Sequence, residues 1–160
     1  AQPAVQSAIP DGPGGAAVAA ADMVDAIVAY SRWPRDGSAV TLCVAAPSPL
    51  TARIAAGPLA DGRRTQVQRH SAGALPAPGC DVLILGAASP AEQQRIARAS
   101  SDRALLTISF ADPLCRNGMM ACIRESDAGM IFDLNLDAVA RSQVRIDPRV
   151  LAIGRRRART

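Results

Sequence analysis

Val82-Leu83-Ile84-Leu85-Gly86-Ala87-Ala88-Ser89-Pro90-Ala91-Glu92 is the most informative stretch of the chain. Its first four residues are apolar without a break, the pattern of a strand buried on both faces, as in a parallel sheet covered by helices. Gly86 ends the run, and Pro90-Ala91-Glu92 opens a helix to about Ser100. Residues 104–110 then read as another buried strand. Upstream, the Asp36-Gly37 turn leads into a short apolar strand over 40–46, and residues 64–70 alternate weakly as a second strand. Between them Ser48 is a fair N-cap for a short helix to Ala56, closed by Gly57-Pro58.

The flanks complete the architecture. Met23, Val24, Ile27, Val28 and Ser31 recur at helical spacing, which predicts a helix over 16–31 that Pro34 stops. Downstream, strands over 119–124 and 130–136 flank the hairpin turn Ser126-Asp127-Ala128-Gly129. Met130, Phe132, Leu134 and Leu136 fall on one face of the second strand, and Ile131, Asp133 and Asn135 on the other. A short helix over 136–142 and a final helical turn from Asp147-Pro148 follow. This β-α-β-β-α-β rhythm predicts a single-domain α/β fold: a mixed sheet with parallel central strands, flanking helices and a C-terminal antiparallel hairpin. Residues 1–15, rich in Pro, Gly and Ala, read as a flexible N-terminal arm, 16–153 as the domain and 154–160 as an Arg-rich tail.

At 160 residues the chain suffices for one self-supporting core, and 49% apolar with 20% charged residues argues against disorder. Tyr30, Trp33, Phe110 and Phe132 are its four aromatics, so the core is aliphatic and a base-stacking nucleic-acid binder is disfavoured. No apolar run is long enough for a transmembrane helix. All 18 basic residues are Arg, and the net charge of +4 equals the contribution of Arg155, Arg156, Arg157 and Arg159 in the tail. A solvated terminus explains that tail more simply than a lipid or acidic partner does.

Cys43, Cys80, Cys115 and Cys122 form no C-x-x-C, and only His70 offers an imidazole, so neither a zinc site nor a thioredoxin-type motif is indicated. Four cysteines allow three disulfide pairings, and buried free thiols are the alternative. Cys115 and Cys122 bracket the turn-like Arg116-Asn117-Gly118, and Cys43–Cys80 would then link two strand-like segments. The chain opens on Ala1-Gln2-Pro3, as expected of an exported protein after cleavage, although a trimmed chain would look the same.

Catalytic constellations are thin. Gly12-Pro13-Gly14-Gly15 lacks the Lys-Ser/Thr of a phosphate loop, and Gly86-Ala87-Ala88-Ser89 has one glycine where a dinucleotide site needs more. His70-Ser71 has no nucleophile elbow, Asp133 and Asp137 read as outward-facing carboxylates, and Asp81 and Asp112 lack a partner base. No catalytic residue, metal or cofactor is expected, and the chain is not read as an enzyme. Trp33 and Tyr30 carry more weight. The sole Trp closes the first helix in Tyr30-Ser31-Arg32-Trp33-Pro34, where it either plugs the sheet edge or meets a partner, since Trp and Tyr are frequent interface anchors.

Ordered blocks carry a family resemblance: Tyr30-Ser31-Arg32-Trp33-Pro34, Leu42-Cys43-Val44, Cys80-Asp81-Val82-Leu83-Ile84-Leu85-Gly86, Leu105-Leu106-Thr107-Ile108-Ser109, and Gly118-Met119-Met120 ahead of Ile131-Phe132-Asp133-Leu134-Asn135. Over about 16–153 the chain resembles the YfiR family of periplasmic proteins. The resemblance implies a disulfide-stapled fold pairing Cys43 with Cys80 and Cys115 with Cys122. It also implies a regulator that binds and represses an inner-membrane diguanylate cyclase through its periplasmic part, controlling cyclic-di-GMP and biofilm formation. An OmpA-like outer-membrane lipoprotein would relieve the repression, a homodimer is implied, and the disulfides would either sense redox or only staple. Phe110-Ala111-Asp112-Pro113-Leu114-Cys115 and the tail depart from the family pattern. The competing expectation is a periplasmic small-ligand sensor acting on a membrane receptor, which calls for a polar-lined pocket where the repressor calls for an apolar contact surface.

Overall fold

The structure, a computed structural model, describes residues 4–9, 15–35 and 37–152. In chain order its regular elements are β1 (Ala4–Ile9), α1 (Ala16–Ala29), β2 (Ser31–Arg32), β3 (Ala39–Ala45), β4 (Gly57–Pro58), β5 (Arg64–Arg69), β6 (Val82–Leu85), α2 (Pro90–Ser100), β7 (Leu106–Ser109), β8 (Ala121–Ser126), β9 (Gly129–Asn135), α3 (Leu136–Arg141) and β10 (Arg145–Ile146). Eight strands form one sheet in the order β1-β9-β8-β7-β6-β3-β5-β4. The neighbours from β5 to β8 run parallel, whereas β4, β9 and β1 each pair antiparallel with the strand beside them. The mixed sheet with parallel centre and C-terminal hairpin is therefore the observed fold.

Alternation along the central strands builds two cores. Leu42, Val44, Val82, Ile84, Leu106 and Ile108 face α1, whose Met23, Val24, Ile27 and Val28 are fully buried against them. Cys43, Ala45, Leu83 and Leu85 face the other way, onto Ile96 of α2 and onto Leu75 and Met119. Covering both faces is what makes Val82–Leu85 continuously apolar. Ser89 caps α2 by accepting a hydrogen bond from the Glu92 N–H at 3.1 Å, with Pro90 in the first turn. Gly86 turns the chain between β6 and α2 so close to the preceding crossover that a Cβ there would collide with the Ala46 carbonyl oxygen.

Four expectations need correction. The stretch 48–56 holds only one 3-10 turn, Pro49–Thr51, in which Thr51 Oγ1 accepts from the Ser48 N–H and donates to the Ser48 carbonyl, both at 3.0 Å. Nine residues are few for a stable helix, and the chain instead drops Thr51 and Ile54 into the α1 core. Residues 4–9 of the expected arm form β1, pairing with β9 over six residues, because Ala4–Ile9 holds no Pro or Gly to stop it adding to the hairpin's open edge. Ser31 leaves the helix: α1 ends at Ala29, and Ser31 and Arg32 pair with Ile146 and Arg145 in a separate two-stranded ladder. Asp133 is buried, because the second face of β9 lies inside the molecule. The Arg-rich tail, 154–160, lies outside the described residues.

Candidate functional site

Residues 30–33 leave the C-terminal end of α1 and run beside the start of β6. Trp33 Nε1 donates to the Asp81 carbonyl at 3.1 Å, and Asp81 Oδ2 in turn accepts from the Thr41 N–H at 2.8 Å. That pair ties the indole to the N-terminal ends of β3 and β6. Arg63 lies across the other side. Its guanidinium stands 6.0 Å from the Trp33 ring centre and donates to the carbonyls of Val28, Ala29 and Ser31 at 3.1–3.2 Å. A cation there satisfies carbonyls that the end of α1 leaves open. Asp61 fixes Arg63 in turn, with an N–O distance of 2.7 Å, and the hydrogen bond from Arg63 holds the Asp61 carboxyl below its usual pKa.

Tyr30 occupies a different hollow, lined by Arg145, Asp147 and Arg149. Arg149 stacks over its ring at 6.0 Å and pairs with Asp147 at 2.6 Å, which keeps the Asp147 carboxyl low. Both rings are half-buried against the α1 core, and Arg32 lines both hollows. Tyr30 and Trp33 thus share a short segment and a guanidinium-covered surface rather than one bare apolar patch. The large apolar side chains that stand exposed among the described residues are Leu114 and Leu136. Nothing in the spacing of Arg63 announces it. Only its place after Asp61-Gly62 marks a turn, and the carbonyls it closes lie more than 30 residues away.

The two disulfides lie elsewhere. Cys43 in mid-β3 joins Cys80 ahead of β6, with Cα atoms 5.8 Å apart, and Cys115 joins Cys122 of β8 at 5.5 Å. Asp112, buried beside the second pair, accepts from the N–H groups of Arg116 and Asn117 at 3.0 and 2.8 Å and so shapes the loop that Cys115 opens. His70 reaches Gln68 at 3.0 Å near the first pair. Cys43, His70 and Cys80 are close enough to hold a metal, as are Asp112, Cys115 and Cys122. Each set has both sulfurs tied in a disulfide, so neither offers a thiolate ligand.

The model of the YfiR/HmsC-like family matches residues 17–155, which takes in both cores, both disulfides and the Tyr30–Trp33 segment. The chain belongs to that family. YfiR/HmsC-like proteins are periplasmic regulators, tied to cyclic-di-GMP signalling through a diguanylate cyclase system. No described helix is long and apolar enough to cross a membrane.

Proposed function

We propose that this YfiR/HmsC-like protein binds the periplasmic part of an inner-membrane diguanylate cyclase and represses it, that an OmpA-like outer-membrane lipoprotein sequesters it to lift the repression, and that it works as a homodimer built from the domain over 16–153. The observation that carries the reading is the family match over nearly the whole domain. Repression by such a protein is a population shift: it acts only if it binds the inactive arrangement of the cyclase more tightly than the active one. Tyr30 and Trp33 are the proposed contact residues. Their rings, held under Arg149 and Arg63, offer rigid aromatic area with cationic rims.

The test is capture of inner-membrane proteins by the exported protein, with cellular cyclic-di-GMP measured alongside. Wild type retains a membrane diguanylate cyclase and lowers cyclic-di-GMP. Tyr30→Ala, which leaves the Trp33–Asp81 hydrogen bond in place, weakens capture about tenfold or more in protein that is still folded at the assay temperature. Failure to retain any cyclase, with cyclic-di-GMP unaltered by deletion of the protein, refutes the proposal. Capture that survives both Tyr30→Ala and Trp33→Phe moves the contact elsewhere on the surface.

A further inference from the structure

A cavity of about 260 Å³ opens between the last turns of α2 and α3 and the loop that carries the chain from β7 to β8. Its interior is uncharged: Leu105, Thr107, Met120 and Asn135 are all buried. Its charge is of one sign. Arg98 from α2, Arg116 from the loop and Arg141 from α3 line it, and among the described residues no carboxylate does. Among the described residues Arg98 and Arg116 make no ion pair, and Arg141 reaches Asp137 only at 4.0 Å with both side chains exposed. Such a pair leaves its cation largely available.

Arg98 and Arg141 also stand in the last turns of their helices, where a cation answers the negative end of the helix dipole. That role does not consume the charge. Two helix ends carry about half a negative charge each, and a six-residue helix less, so three guanidinium groups leave a surplus of about two. A further feature points to a ligand. The Thr107 hydroxyl accepts from the Met120 N–H at 2.9 Å, which leaves its own proton for another acceptor.

We propose that this cavity binds a small organic oxyanion, a phosphomonoester or carboxylate. The guanidinium groups of Arg98, Arg116 and Arg141 hold the anionic head, and Leu105 and Met120 seat its apolar body. Planar guanidinium forks match both head groups in geometry. A volume of about 260 Å³ suits a compact ligand rather than a peptide or a nucleic-acid strand. The site is distinct from the Tyr30 and Trp33 hollows, so it stands or falls independently of cyclase binding.

Calorimetric titration of the full chain at low salt tests it, with phenyl phosphate, benzoate, inorganic phosphate and phenol as probes. Phenyl phosphate or benzoate binds, phenol does not, and inorganic phosphate binds more weakly than phenyl phosphate. Whichever of the two organic anions binds more tightly identifies the head group. The double variant Arg98→Ala/Arg141→Ala, whose side chains are exposed and carry no structural hydrogen bond between elements, weakens that binding roughly tenfold or more with the melting temperature unchanged. Arg145→Ala, at the Tyr30 hollow, leaves it intact. Absence of binding by both organic anions overturns the proposal. So does binding that ignores the double variant, falls equally in Arg145→Ala, or is as strong for inorganic phosphate as for phenyl phosphate.

Discussion

Asp25 lies on α1 with Asp22 one turn before it, and its half-buried position pushes its pKa from 3.8 to about 6, desolvation first and the Asp22 charge second. A carboxyl that holds its proton more tightly folded than unfolded favours the fold at low pH. That contribution is complete below the unfolded value, fades as pH rises from about 4 to about 6, and is gone above it. The raised value corresponds to at most about 3 kcal/mol, of which about 1 kcal/mol is expected once solvent screening of this partly exposed carboxylate is allowed for. Asp25→Asn is therefore expected to stabilise the protein by about 1 kcal/mol at pH 7.5 and by nothing near pH 3.5, read from urea midpoints at the two pH values. Equal midpoint shifts at both would show that the substitution acts through packing. At this scale the sequence was only partly legible. It singled out Trp33 and Tyr30 by rarity and placement, but not Arg63, because a guanidinium that closes the end of α1 from more than 30 residues away leaves no local pattern.

Among the elements, α2 shows how a helix is locked to its sheet by a polar group inside an apolar core. Gln93 is fully buried. Its amide donates to the carbonyls of Ala88 and Ala111 at 3.1 Å each, and its Oε1 accepts from the Ser109 hydroxyl at 2.6 Å. One side chain thus ties the N-terminal turn of α2 to the end of β7. Replacing it with an apolar residue of similar size leaves two carbonyls and a hydroxyl to find new partners, at about 1 kcal/mol or more each. Gln93→Leu is expected to lower unfolding free energy by about 2–4 kcal/mol, and adding Ser109→Ala to cost less than it does alone, because the hydroxyl has already lost its acceptor. Additive losses in denaturant titrations would mean that the bond contributes nothing. The elements that the sequence disclosed are those whose burial pattern is set by their own residues: β6, apolar throughout, β3 and β7, largely buried, and α1 with its stripe. The ones it missed are decided by what lies alongside. Ala4–Ile9 becomes a strand because β9 offers an edge, and 48–56 stays largely irregular because α1 takes up Thr51 and Ile54.

For the molecule as a whole the open question is whether the disulfides report redox state or only hold the fold, and their burial bears on it. All four cysteines are under a tenth exposed, with Cys43 at 0%. Exchange needs an attacking thiolate to reach a sulfur, so reduction has to pass through opening of the structure. The two pairs differ in how much must open. Cys115–Cys122 closes a loop with a sequence separation of 7, shaped by Asp112 and flanked by exposed Leu114 and Arg116, and a local excursion frees it. Cys43–Cys80 has a separation of 37, and Cys43 sits in mid-β3 between β5 and β6, facing the core under α2. By chain entropy the short link is worth about 2.5 kcal/mol and the long one about 4 kcal/mol, the latter a large share of an ordinary domain's stability. In dithiothreitol, with alkylation and mass mapping over time, Cys115–Cys122 is expected to open first, at a rate that barely responds to low urea. Cys43–Cys80 is expected to follow at a rate that climbs with urea as steeply as global unfolding does. Redox control would then act through the long link alone, by taking the fold away from its partner. Reduction of Cys43–Cys80 first, or of both pairs at one urea-independent rate, would instead place an accessible switch on the native surface.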